Sequence, residues 1–316
     1  MTKSCSDTNK GVFTAAVRSN KRIGHCFYRI SLEFSGAGAK AFADFIPGQF
    51  AEFDISNTAM PKLENIPLAL ADALERKILL RRPFSFCDVT TDGDKTLTEL
   101  LYCTVGPASL RLTTLTQGDS ISVIGPLGNG FSVPKNKTTA LLVVGGIGFP
   151  PIEHLAKSLK NKHAGTEAIA FVGARSVSGL PFENMPATIS KDKGPWIEEF
   201  ARYGIESLVT TDDGSAGSKG LVTNSLTSYL GKTNFPAKEA IIYACGPEPM
   251  LAATAAIAQK YNIDCQVSME RQMGCGIGLC QSCAVECKVP NSKETIYKMC
   301  CKDGPVFDGS EVVFSL

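Results

Sequence analysis

Thr139-Ala140-Leu141-Leu142-Val143-Val144-Gly145-Gly146-Ile147-Gly148-Phe149-Pro150-Pro151 divides this chain into two kinds of sequence. Its first half is an unbroken apolar run, as expected of a strand buried on both faces. Glycines 145, 146 and 148 then form a tight turn, and a helix is expected over 152–159. Such a helix start exposes backbone amides that can receive a pyrophosphate. The full G-x-G-x-x-G fingerprint is absent, so a purely structural turn also accounts for these glycines. Downstream, short apolar stretches at 168–172, 207–210 and 241–244 read as strands, and 221–230 and 250–259 as helices. That alternation implies parallel βαβ units and an open α/β sheet. Cys245-Gly246-Pro247 brings a second tight turn to the same carboxyl edge, where such sheets bind ligands.

Upstream the rhythm differs. From Gly11 to about Val133, apolar stretches with β-branched and aromatic residues alternate with glycine, proline and aspartate, at 13–17, 26–34, 49–55, 97–105 and 120–124. A small antiparallel barrel is expected, preceded by about ten loose residues. The segment 60–80 interrupts it, and its Ala- and Leu-rich part at 68–79 reads as an inserted helix or an ordered surface loop. Arg82-Pro83-Phe84-Ser85 lies just before a barrel strand. Its arginine offers a planar donor fork for a diphosphate and its serine a hydroxyl for a flavin ring edge, although an ordinary surface arginine fits too. Gly125-Pro126-Leu127-Gly128-Asn129-Gly130-Phe131 is a turn.

Beyond Ile263 the chain becomes glycine- and cysteine-rich. Of 12 cysteines, Cys265, Cys275, Cys280, Cys283, Cys287, Cys300 and Cys301 fall in the last quarter, a concentration that reads as metal ligation rather than a disulfide framework. Cys275-Gly276-Ile277-Gly278-Leu279-Cys280-Gln281-Ser282-Cys283 spaces three thiols by four and two residues, as plant-type [2Fe-2S] sites do. The fourth thiolate comes from Cys301 or Cys300. These two point to opposite sides if the segment is extended, so both do not bind at once. Structural zinc is the alternative, but zinc commonly uses paired short knuckles and only one short pair exists. Cys265 and Cys287 read as buried thiols or neighbours of the cluster, and Cys5, Cys26, Cys87, Cys103 and Cys245 as buried thiols.

At 316 residues the chain accommodates two ordinary domains and a small appendage. A net charge of +1 gives no reason to expect a nucleic-acid partner. The longest apolar run, 139–151, is too short to span a bilayer, so no membrane association is expected. Residues 1–10 are polar with no apolar segment behind them, so no secretory signal and a cytoplasmic location are expected. His25, in a strand, and His154 and His163, at a helix start and end, form no constellation with a nucleophile. Hydrolytic chemistry therefore lacks support, and an electron conduit fits better.

These motifs together resemble the ferredoxin-reductase-like family, and within it the electron-transfer subunits of NAD-dependent (class 1B) dihydroorotate dehydrogenases. The resemblance covers the chain apart from the N-terminal tail and the 60–80 insertion. It implies a multidomain fold: an antiparallel β-barrel FAD-binding domain over 11–135, an α/β NAD-binding domain over 136–262 and a small [2Fe-2S] cluster domain over 263–316. By the same resemblance, Arg82 faces the FAD diphosphate, and the Pro83-Phe84-Ser85 region faces the isoalloxazine. Leu101-Tyr102-Cys103 forms the next FAD-contacting strand, with Cys103 where the family usually has arginine. Ala108-Ser109 replaces the usual Gly-Thr, Ser109 keeping the hydroxyl. Gly145, Gly146, Gly148, Asp212, Asp213, Cys245, Gly246 and Pro247 belong to the nucleotide site, and Cys275, Cys280, Cys283 and Cys301 to the cluster.

The implied cofactors are FAD and one [2Fe-2S] cluster, with NAD(H) as substrate. The implied partner is an FMN-containing catalytic chain, in a heterotetramer of two chains of each kind. That partner oxidises dihydroorotate to orotate in pyrimidine biosynthesis, and electrons run FMN, [2Fe-2S], FAD, NAD⁺. Pro305-Val306-Phe307 is expected as an apolar docking patch beside Cys301. Asp212 and Asp213, which would repel a 2′-phosphate, predict NAD(H) over NADP(H), with Arg175 the one nearby cation to offset them. The nearest rival is the small subunit of a ferredoxin:NADP⁺ oxidoreductase or sulfide dehydrogenase. A zinc-stabilised binding module is a third possibility of another class.

Overall fold

In the computed structural model, which describes residues 10–182, 197–231 and 235–314, the chain before residue 128 curls into one antiparallel sheet. Its strands are β1 (Gly11–Arg22), β2 (Phe27–Phe34), β3 (Phe50–Asp54), β4 (Arg82–Phe84), β5 (Phe86–Asp92), β6 (Lys95–Cys103) and β7 (Ser120–Leu127), ordered β4-β3-β7-β1-β2-β6-β5. Alternation along each strand buries one side. On β2, Ile30, Leu32 and Phe34 point inward, while Phe27 faces the nucleotide domain. The short helix α1 (Gly36–Phe42) closes the barrel by stacking Phe42 on Phe34 at 4.2 Å between ring centroids, with Phe86 edge-on at 5.7 Å. The helix α2 (Pro107–Leu112) covers the other opening.

The local detail is sharper here. The insertion contains 3₁₀ turns at Leu63–Asn65 and Leu68–Leu74 rather than an α-helix. Its apolar residues do not share a face: Leu68 is 92% and Leu79 85% exposed, while Ile66 and Ala73 bury against Leu110 with Met60 and Leu70 beside them. Arg82-Pro83-Phe84-Ser85 lies just before strand β5, as expected, and its first three residues are also a strand of their own, paired with β3. His25 sits in a bend between β1 and β2. The expectation of a loose tail falls mostly on residues 1–9, which lie outside the described residues, as does Cys5.

After residue 138 the chain builds a second sheet from β8 (Thr139–Gly145), β9 (Glu167–Ala174), β10 (Glu206–Thr211), β11 (Ser218–Lys219), β12 (Ala240–Cys245) and β13 (Asp264–Ser268). Its order is β11-β10-β9-β8-β12-β13-β16, where β16 (Val306–Asp308) is antiparallel and the others parallel. Helices α3 (Phe149–Lys162), α4 (Glu198–Ala201), α5 (Val222–Leu230) and α6 (Glu248–Tyr261) cover its faces. The period of two on β8 sorts the layers: Leu141 and Val143 face α5 and α6, while Leu142 and Val144 face Ile152, Leu155 and Leu159 of α3. Each such side chain contributes about 1.5–3 kcal/mol by leaving water.

The cysteine-rich segment is not structurally separate. Asp264–Ser268, assigned from sequence to the cluster domain, is the sixth strand of the nucleotide sheet, and β16 returns to pair with it. Between them, β14 (Ala284–Lys288) and β15 (Thr295–Met299) form a hairpin. Cys283, Val285, Cys287, Cys300 and Phe307 share one core with α5 and α6. Consequently Pro305 and Phe307 are buried within this chain and form no docking patch. Strand addition at the sheet edge satisfies their backbone and takes their side chains from solvent. No helix among the described residues is long and apolar enough to cross a membrane.

Candidate functional site

From β8 the chain moves through β9 and β10 to one side, then returns through β12 to the other. The switch point therefore lies between the carboxyl ends of β8 and β12, where open α/β sheets bind ligands. Gly145, Gly146 and Gly148 follow β8 there, and Cys245, Gly246 and Pro247 end β12. The two turns touch: a Cβ on Gly148 would lie 2.3 Å from the Cys245 carbonyl oxygen, so no other residue fits without displacing backbone.

A cavity of about 530 Å³ opens at this point toward the barrel. Of the expected residues, Pro83, Phe84, Ser85, Leu101, Tyr102, Cys103, Gly145, Gly146, Gly148, Cys245, Gly246 and Pro247 line it. Strands β4 and β6 supply the barrel wall because both end at this rim. Tyr102 is fixed by its hydroxyl, which donates to Asn20 Oδ1 at 3.1 Å, and by stacking on Tyr28 at 5.4 Å. Burial pushes the Cys245 thiol up to about 12 and leaves it protonated at neutral pH.

The remaining expected residues stand elsewhere. Arg82 is off the cavity wall, its guanidinium donating to the carbonyls of Leu80 (2.9 Å) and Arg81 (3.1 Å). Ala108 and Ser109 lie on α2, away from the lining, and the Ser109 hydroxyl accepts from the amides of Val105 and Gly106 at 2.9 and 3.2 Å. Asp212 and Asp213 are exposed at the carboxyl end of β10, outside the cavity. Asp213 Oδ1 accepts from the amide and hydroxyl of Ser215 at 2.9 and 2.6 Å, so its carboxylate shapes the turn.

The lining also includes Met269, Glu270, Arg271 and Met273, which sequence reasoning missed. Arg271 forks onto Glu248 of α6 at 2.8 and 3.0 Å. Reading 264–268 as a strand would have found them, because the turn after it reaches the same edge as the turns after β8 and β12.

The four-cysteine loop adjoins this wall. Cys275 Sγ accepts from the amides of Leu279 (3.3 Å) and Cys280 (3.4 Å). Cys283 Sγ lies 3.3 Å from Cys301 Sγ and accepts from the Cys301 amide at 3.4 Å. Two pairs result, Cys275 with Cys280 and Cys283 with Cys301. Among the described residues no group of three or more such side chains is gathered at one point. Ser282 donates to Cys280 through hydroxyl and amide and brings that thiol down to about 6, favouring the thiolate that ligation requires. Cys300 turns the other way, its thiol donating to the Met269 carbonyl at 3.4 Å. Cys265 and Cys287 are buried.

Gly276 holds the loop against the barrel. Its φ is +68° and a Cβ there would lie 2.7 Å from Glu52 Cγ. Glu52 is 2% exposed, with Oε1 lacking a hydrogen-bond partner, and burial raises its carboxyl to about 7 against the pull of Arg82 and Arg81. It stands opposite Pro83 on β3, between the flavin-motif strand and the cluster loop.

An antiparallel barrel, a doubly wound nucleotide sheet and a paired-thiol loop meeting at one cavity define a flavin- and iron–sulfur-containing reductase. Residues 142–256 match the oxidoreductase NAD-binding domain, and residues 270–313 the iron–sulfur cluster binding domain of dihydroorotate dehydrogenase B. The chain is 34% identical over 300 residues to the dihydroorotate dehydrogenase B (NAD⁺) electron transfer subunit of Caldanaerobacter subterraneus subsp. tengcongensis, covering 95% of this chain and 98% of that one. Its counterpart in Bacillus caldolyticus is 37% identical, covering 84% and 86%. Among solved structures, an NADH-dependent reduced ferredoxin–NADP oxidoreductase that performs flavin-based electron bifurcation superposes with a TM-score of 0.70 at 26% identity, covering 95% of this chain and 90% of that chain. Phthalate dioxygenase reductase shares the fold at a TM-score of 0.54 and 14% identity, covering 92% and 78%. The chain belongs to the family of dihydroorotate dehydrogenase B (NAD⁺) electron transfer subunits.

Proposed function

We propose that this chain carries electrons from an FMN-containing dihydroorotate dehydrogenase catalytic subunit to NAD⁺, in the cytoplasm, as one half of a heterotetramer. The observation that carries this reading is the single cavity walled jointly by Phe84 and Ser85 of the barrel, Gly145 to Gly148 and Cys245 to Pro247 of the nucleotide sheet, and Arg271 and Met273 leading into the cysteine loop. When bound, FAD exchanges electrons in pairs with nicotinamide and singly with a [2Fe-2S] centre.

The residues present fit these groups. The thiols stand in two pairs, Cys275 with Cys280 and Cys283 with Cys301, and these four would hold a [2Fe-2S] cluster. The amides of Leu279, Cys280 and Cys301 donate to sulfur and would stabilise its negative charge. Ser85, Tyr102 and the apolar wall of Phe84 would hold the isoalloxazine, and the amides after β8 the nicotinamide nucleotide. Arg82 reaches the FAD diphosphate only after leaving the Leu80 and Arg81 carbonyls. Toward the partner the cysteine loop presents Leu279, 77% exposed, and Ile277, 50% exposed, on either side of Gly278. These replace Pro305, Val306 and Phe307 as the apolar contact beside the cluster.

Flavin extraction with iron and acid-labile sulfide analysis tests the cofactor assignment. One FAD, two irons and two sulfides per chain are expected; tightly bound zinc without labile sulfide would overturn it.

A further inference from the structure

The barrel rim holds another sulfur pair, distinct from the four thiols assigned to the cluster. Cys26 Sγ and Cys103 Sγ lie 2.8 Å apart. Closing that gap to a disulfide bond requires a shift of about 0.8 Å. A regular ladder would have kept them apart. The β2–β6 register ends with Phe27 opposite Cys103, so continued alternation would send Cys26 to the other face of the sheet. The bend over 24–26 breaks that alternation, with the Thr104 amide holding the Cys26 carbonyl at 2.9 Å. The Cys26 thiol is thereby turned back onto Cys103. Both residues are half-buried rather than sealed in the core, and Cys103 lines the cavity.

We propose that Cys26 and Cys103 form a reversible dithiol–disulfide site on the cavity wall, oxidised by low-molecular-weight disulfides of the glutathione type. A thiolate of the pair attacks one sulfur of the small disulfide, whose S–S bond breaks and releases one thiol. The neighbouring protein thiol then attacks the mixed disulfide and releases the second. Two protein S–H groups become one S–S bond, the small disulfide is reduced to two thiols, and both protons end on those products. Burial, together with the neighbouring Cys26, pushes the Cys103 thiol up to about 12. Cys103 is therefore held as the thiol, its S–H donating to Cys26, which leaves Cys26 as the attacking sulfur. Closing the bond repositions a sulfur on the wall assigned above to flavin, and only that consequence rests on the flavin assignment.

The test is peptide mapping of the purified holo-chain after equilibration with oxidised or reduced glutathione, denaturation and alkylation. A Cys26–Cys103 linked peptide is expected in most molecules under oxidised glutathione, lost under reduced glutathione. In Cys103→Ser the link disappears and Cys26 carries glutathione instead. Recovery of both wild-type cysteines alkylated, or each as a separate glutathione adduct without a link, would overturn the proposal. This readout uses no flavin signal, so it fails or succeeds independently of the cofactor assignment.

Discussion

Cys300 and Cys301 are adjacent in sequence and differ in direction. Cys301 meets Cys283 at 3.3 Å, whereas Cys300 turns to the Met269 carbonyl. Cys301→Ser is expected to abolish or strongly perturb the [2Fe-2S] absorption and paramagnetic resonance signals, and Cys300→Ser to retain them; the reverse result would exchange the two roles. We propose that nicotinamide preference also rests on single side chains. Asp212 and Asp213 are both exposed, and the Ser215 hydrogen bonds lower the Asp213 pKa and keep it ionised, so both carboxylates would repel a 2′-phosphate brought to the end of β10. NADH is expected to reduce the chain at least about tenfold more efficiently than NADPH, equivalent to about 1.4 kcal/mol. Equal rates at limiting concentration would contradict this. Ligand spacing in the cysteine loop was legible because it is local. The Cys26–Cys103 contact was not, because it depends on a bend that breaks strand alternation, and no spacing rule announces it.

Helix α3 joins the two large domains. Its Glu153, fully buried, pairs with Arg29 of β2 at 3.3 Å and with Arg202, and its Lys157 donates to the Val89 carbonyl at 3.0 Å and pairs with Asp88. Burial opposes the Arg29 charge, but Glu153, Cys87 and Glu99 together outweigh that and raise its pKa. Also on α3, His154 is buried against Phe45, and its Nδ1 lacks a hydrogen-bond partner. Burial lowers its pKa to about 4, with Asp88 opposing and Lys157 and Lys162 assisting. The unfolded histidine titrates near 6.5, so its contribution is present above that pH and is lost as pH falls toward about 4. Across this window the wild type is expected to lose about 3 kcal/mol more than His154→Leu, measured by urea unfolding at pH 7 and pH 4. Parallel losses in both proteins would show that His154 is not the acid-sensitive group. The helix itself was legible from the apolar run and turn before it. Its role as a bridge was not, since Arg29 is 124 residues from Glu153 and only the fold brings them together.

At the scale of the whole molecule, the three-part layout was legible because each part has its own period: two along the barrel strands, strand–helix alternation next, then clustered cysteines. The boundary at 263 was less legible. Asp264–Ser268 carries Cys265 and so reads with the cysteine-rich tail, yet parallel pairing with β12 claims it for the nucleotide sheet. That arrangement brings Glu270, Arg271 and Met273 to the cavity and ties the cluster loop to the nucleotide core. In the proposed function, dihydroorotate oxidation falls to the partner. Reconstitution with an FMN-containing dihydroorotate dehydrogenase catalytic subunit, followed by assay of dihydroorotate-dependent NAD⁺ reduction, tests this most directly. The isolated chain should oxidise NADH with artificial acceptors and ignore dihydroorotate, and adding the partner should couple dihydroorotate to NAD⁺. A chain that remains uncoupled with the partner present, but forms a complex reducing NADP⁺ from ferredoxin, would contradict the account.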